Sequence, residues 1–127
     1  MRAHRNAFIT DLQSRLSGSV FTSYAAADKS RYAVVFAALS RKERHRYTGP
    51  QGRLTFTFTV HSVGASEEQC LWVAERVDQI TDKTLTVANR SLWPVEYVTG
   101  MPPDLNDDGP SPLWFSISQF DVVSDPA

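Results

Sequence analysis

The stretch from Leu54 to His61, LTFTFTVH, constrains the fold of this chain more than any other. Leu54, Phe56, Phe58 and Val60 alternate with Thr55, Thr57, Thr59 and His61. A period of two puts the apolar set on one face of a β-strand and the polar set on the other. Threonine suits the second face, because its branched Cβ favours a strand and its hydroxyl tolerates water. The apolar face needs a second layer, and the sequence supplies one directly. Val63 and Gly64 are expected to lead off the sheet. Ser66 is a good N-cap, and Gln69 three residues on completes a capping-box pattern. Glu67 and Glu68 fall in the first turn, where the helix dipole favours negative charge. Cys70, Val73, Ala74, Val77 and Ile80 then form one helical stripe, expected to cover Phe56 and Phe58.

The flanking segments extend this picture. Phe8, Ile9, Leu12 and Leu16 recur at helical spacing, which predicts a helix over residues 6–17 with Asp11, Gln13 and Arg15 toward water and Gly18 as its stop. Residues 20–24 read as a short edge strand. Residues 31–39, RYAVVFAAL, form an apolar run rich in β-branched residues, expected to be a strand buried on both faces. The basic segment SRKERHRYTGPQG then reads as the tip of a long hairpin that returns through the strand at 53–62. Beyond Asp82 the signal weakens. Residues 84–89, TLTVAN, suit a loop or a short strand. Residues 93–98 suit an edge strand, because Pro94 cannot donate to a ladder. Residues 100–112 suit a loop, and residues 113–123 a final strand. The order predicts one domain over 1–127 of the α+β class: a mainly antiparallel sheet with a long hairpin, flanked by two helices.

Little in the sequence suggests catalysis. His4, His45 and His61 lie in unlike segments, with no metal-ligand spacing. Cys70 is the single cysteine and sits on an apolar stripe, so it reads as a core residue and not as a nucleophile. There is no G-x-S-x-G, phosphate-binding glycine loop or H-E-x-x-H. Asp104, Asp107 and Asp108 resemble a calcium loop in composition but lack its register and distal Glu, and they read as a solvated connector. No cofactor is expected. No run of about 18 apolar residues is present, and the N-terminus lacks the apolar core of a secretion signal, so no membrane partner is expected.

Charge is the remaining signal. Residues 1–63 hold ten Lys/Arg and three Asp/Glu, whereas residues 64–127 hold three Lys/Arg and eleven Asp/Glu. Such a bipolar chain is suited to dock one face on the opposite face of a copy. Arg41, Lys42, Arg44 and Arg46 on one side, and Asp104, Asp107 and Asp108 on the other, are the candidate interface residues. The four cations, with Tyr47 beside them, also suit phosphate contacts and base stacking, so a small nucleic-acid-binding module is a second reading.

Taken in order, RYAVVF, RKERHRYTGPQGRLTFTFTVHSVGASEEQCLWVAERV and SPLWFSISQFDVV resemble the tail terminator (minor tail or tail-completion) proteins of long-tailed actinobacterial phages. The resemblance spans residues 6–123 and is weaker over 81–100. It implies a structural, non-enzymatic virion protein without catalytic residues. Such a protein forms a homo-oligomeric ring, usually of six, at the head-proximal end of the tail. It meets the tail-tube protein and the head-tail connector protein and passes genomic DNA through its lumen without sequence-specific contact. Assembly would take place in the host cytoplasm. A head-to-tail connector or neck protein is the alternative within the same setting. A chain of this length has a diameter of about 36 Å; six such spheres in a ring leave a hole about 36 Å wide, and three leave about 6 Å, too little for a duplex of roughly 20 Å.

Overall fold

The computed structural model describes residues 2–16, 20–21, 31–42, 52–106 and 112–126, without the side chain of Lys42. The first helix, α1, runs Arg2–Arg15. It starts four residues before the sequence pattern suggests, because His4 continues the stripe of Phe8, Leu12 and Leu16 at a spacing of four. All four are buried. The proposed stop at Gly18 lies outside the described residues.

Strand β1, Val20–Phe21, pairs parallel with β2, Arg31–Lys42. β2 runs antiparallel to β3, Leu54–Gly64, with Val35 opposite Val60 and Leu39 opposite Phe56. This is the long hairpin expected, and its residues 43–51 lie outside the described set. β3 keeps its pairing through Gly64, so Val63 and Gly64 stay in the ladder. β2 is buried on both faces only at Ala33, Val34 and Val35; Phe36 and Leu39 are exposed. The continuous apolar run was therefore misleading. The outer half of β2 lies at the sheet margin, where no described element covers it.

Helix α2, Glu67–Asp78, begins as its cap residues dictate. Ser66 Oγ accepts from Gln69 N at 3.3 Å, while Gln69 Oε1 reaches back to Ala65 N at 3.1 Å, one residue before the usual capping-box partner. Cys70, Val73, Val77 and Ile80 are wholly buried, on the face the stripe predicts. The tight passage from β3 into α2 depends on Gly64. A Cβ there would lie 2.4 Å from Cys70 N and 2.7 Å from Gln69 C, both backbone atoms. Gly64→Ala is therefore expected to cost about 1–3 kcal/mol in a urea melt. An unchanged melt would contradict this close approach.

The C-terminal half forms the other side of the sheet. Strand β4 is Arg90–Leu92, β5 is Glu96–Gly100, β6 is Asp104–Asn106 and β7 is Leu113–Pro126. β7 pairs antiparallel with β3 along one side and with β4, β5 and β6 in turn along the other. Residues 90–106 thus act as one interrupted edge strand. Pro94, a register shift between Tyr97 and Thr99, and Pro102-Pro103 break it into three. The loop expected over 100–112 contains β6, and 84–89 holds no strand. Asp82 and Asn89 take positive φ (68° and 63°), a conformation their short polar side chains tolerate at turns. Apart from β1, every strand pair is antiparallel, and the class is α+β.

Both helices pack on one face of the sheet, against Phe56, Phe58, Val60, Phe120 and Val122. On α1, His4 stacks on Phe56 with ring centroids 4.1 Å apart, and Phe8 stacks on Phe58 at 4.2 Å. The match is metrical: four helical residues advance about 6 Å and two strand residues about 6.7 Å. Equal steps let successive rings of α1 and β3 meet in register.

Candidate assembly surfaces

The sequence-predicted interface residues fall on separate parts of the sheet. Arg41 is exposed near the end of β2, opposite Thr55 of β3. Lys42 closes the same strand opposite Leu54. Asp104 is exposed on β6, opposite Phe115 of β7. Arg44, Arg46, Asp107 and Asp108 lie outside the described residues. Three strand spacings and eight strand residues separate Arg41 from Asp104, roughly 30 Å. They cannot form one site within a chain and lie toward different sides of the sheet. The strand order β1-β2-β3-β7-β4 keeps the basic N-terminal strands on one side of the sheet and the acidic C-terminal ones on the other. The charge asymmetry of the sequence therefore survives along the described strands, whereas the acidic α2 packs on β2 and β3 and the basic α1 reaches Ser124 of β7.

Of the titratable groups, Cys70 and His4 are buried in the core and His61 is half-buried on the opposite face of the sheet. Burial pushes the Cys70 thiol up, with the Glu67 carboxylate adding to the effect, and its Sγ donates to Ser62 O at 3.3 Å. Burial lowers the His61 pKa; its ring meets Phe36 edge-on at 5.1 Å, on the sheet face away from the helices. His4 is pushed down to about 4, first by burial and then by neighbouring positive charge, Arg90 included. Its Nε2 lies 2.9 Å from Ser124 Oγ, which also accepts from Arg90 Nε at 2.8 Å. His45 is outside the described residues. Among the described residues, no three His, Cys, Asp or Glu side chains are placed to share a metal ion. No described helix is long and apolar enough to cross a membrane. The shallow groove between α1 and residues 84–86 is lined by Ala7, Thr10, Ser14 and Leu85 with one carboxylate, Asp11. Asp11 is already paired with Arg15 at 2.9 Å.

Two clusters escaped the sequence reading because their members are distant in the chain. Arg53 Nε and Trp93 Nε1 both donate to Asp125, at 2.8 and 2.7 Å, and hold its carboxyl below the usual range. The Arg53 guanidinium also lies 4.7 Å from the Trp93 ring. This knot ties the start of β3 to the end of β7. The second cluster is a pair of carboxylates. β5 places Glu96 directly opposite Asp121 of β7. Asp121 accepts from Thr57 Oγ1 at 2.7 Å, but neither carboxylate makes an ion pair among the described residues. Facing like charges destabilise a strand pair.

Exposed apolar side chains are distributed just as unevenly. Among the described residues, eight large ones are between 38% and 48% exposed. Phe36 and Leu39 lie on β2, and Trp93, Tyr97, Val98, Met101 and Leu105 lie along the interrupted edge; of these eight, Leu71 on α2 lies elsewhere. Among the described residues, the two sheet margins therefore carry both exposed charge and uncovered apolar surface.

No protein-family model matches the sequence, and no curated protein matches it. The fold itself has solved counterparts. One solved chain, matched over 99% of this chain and 93% of its own, has a TM-score of 0.66 at 10% identity. A chain of the virion of a native gene transfer agent particle is similar in fold over 96% of this chain and 94% of its own, with a TM-score of 0.72 at 9% identity.

Proposed function

We propose that this chain is a structural subunit of a phage-like virion. Copies of it close into a ring, of six as in the tail terminators it resembles and as chain size permits, that ends the tail tube on its head-proximal side and joins it to the head connector. The observation that carries this reading is the likeness of fold to a gene transfer agent virion chain across nearly the full length of both. Fold alone does not assign a role. The motif resemblance at residues 31–36, 41–77 and 111–123 adds the tail terminator role. The bipolar sheet adds a physical route to the ring, since unlike surfaces that meet head to tail generate closed rings or open filaments. Arg41, Lys42, Arg44 and Arg46 would give the ring its basic contacts, with tube, connector or passing DNA phosphates; Asp104, Asp107 and Asp108 would give the acidic ones.

Mass photometry at micromolar concentration tests the reading. The expected result is a species of six times the chain mass, alone or on addition of the tail-tube protein. A monomer under both conditions overturns it.

A further inference from the structure

The geometry points to the two opposite margins of the sheet as the mating surfaces of the ring, with the β2 margin of one copy docking on the Glu96–Leu105 margin of the next. This rests on the ring reading above and identifies its interface. The strand ladder sets the heights of the two margins. Ala37, Phe58, Phe120 and Tyr97 occupy one continuous row across β2, β3, β7 and β5. The next row runs Ala38, Thr57, Asp121, Glu96, and the row on the other side runs Phe36, Thr59, Gln119, Thr99. Phe36 thus stands one row from Tyr97, with Val98 at the register shift between their rows, and Leu39 stands two rows from Tyr97 on the other side. Rotating one copy about an axis along the strands brings apolar margin onto apolar margin without a lengthwise shift.

Charge fits the same alignment. Arg41 is opposite Thr55, two residues along β3 from the row of Glu96, or about 7 Å, within reach of an arginine side chain. The opposed Glu96 and Asp121 carboxylates, costly as a bare pair, become favourable beside a guanidinium from a neighbour. The occupant is a second copy because this chain carries both halves of the match. Contact is through side chains and not by strand addition. The register shift at Leu39/Arg41, the one at Tyr97/Thr99 and the prolines at 94, 102 and 103 roughen both margins against open-ended β-pairing.

The test uses two single variants of the full chain, Phe36→Cys and Val98→Cys, with a short bismaleimide; native Cys70 is wholly buried. The expected result is a covalent dimer that forms in the mixture of the two variants and not with either alone. Self-cross-linking of either variant alone means like meets like, and overturns the inference. A ring by mass photometry without cross-linking in the mixture also overturns it while leaving the ring intact. A monomer alone and with the tail-tube protein overturns both. Glu96→Lys provides a second arm: it should raise the half-assembly concentration about tenfold or more while the thermal stability of the monomer is kept or raised, since the introduced lysine would face Asp121. Unaltered assembly of Glu96→Lys removes the charge match and overturns the inference.

Discussion

Phe58→Ala is expected to lower the stability of the fold by about 3–5 kcal/mol in a denaturant melt. Phe58 has no exposed surface and sits where three layers of contact meet. Its ring stacks on Phe8 of α1 at 4.2 Å with only 8° between planes. Ala37 and Phe120 flank it across the two strand pairs, and Phe120 contacts the same Phe8 at 6.0 Å. Truncation leaves a void that helix and sheet cannot close without breaking the register of rings along α1. A domain of this size holds about 5–15 kcal/mol in total, so the variant is expected to lose a large part of its margin. A loss below about 1 kcal/mol contradicts the packing of α1 and α2 over this face.

Acid should unfold the protein partly through His4. The ring is buried, stacked on Phe56, with Nε2 against Ser124 Oγ and Nδ1 without a partner among the described residues. Arg90 can only donate to that hydroxyl, which leaves the serine proton for Nε2 and favours the neutral ring. The folded-state pKa of about 4 lies below the ordinary 6.5. Between these values the unfolded chain takes up a proton that the folded chain refuses. The His4 contribution is therefore complete above about pH 6.5 and is lost as pH falls toward 4, amounting to at most about 3 kcal/mol. His4→Phe keeps an aromatic stack on Phe56 and removes the titration. Urea melts at pH 7.5 and pH 4 should show wild type losing about 2–3 kcal/mol more than the variant. Equal losses would contradict the burial of a neutral His4.

Much of this fold is written locally. The threonine alternation set β3, Ser66 and Gln69 set the start of α2, and the stripe from Cys70 to Ile80 set its buried face. His4 was passed over because an imidazole does not read as apolar, although its spacing of four from Phe8 marks the same stripe. The extent of β2 burial was misjudged because an apolar run cannot say where a sheet ends. Residues 90–106 were hard to read because three prolines and a bulge interrupt a strand whose continuity comes only from its partner, β7. The proposed assembly surfaces are legible as charge, in the contrast between Arg41 and Asp104. They were not legible as apolar margins, because Phe36 and Val98 become neighbours in height only through the ladder of four strands.

Electron microscopy of tail tubes assembled with and without a gold-labelled form of this chain tests the central claim most directly. The account predicts a closed ring at one end of each tube and tubes that stop lengthening when the protein is present. Label along the tube walls, or unchanged tube growth with no label at either end, would contradict it.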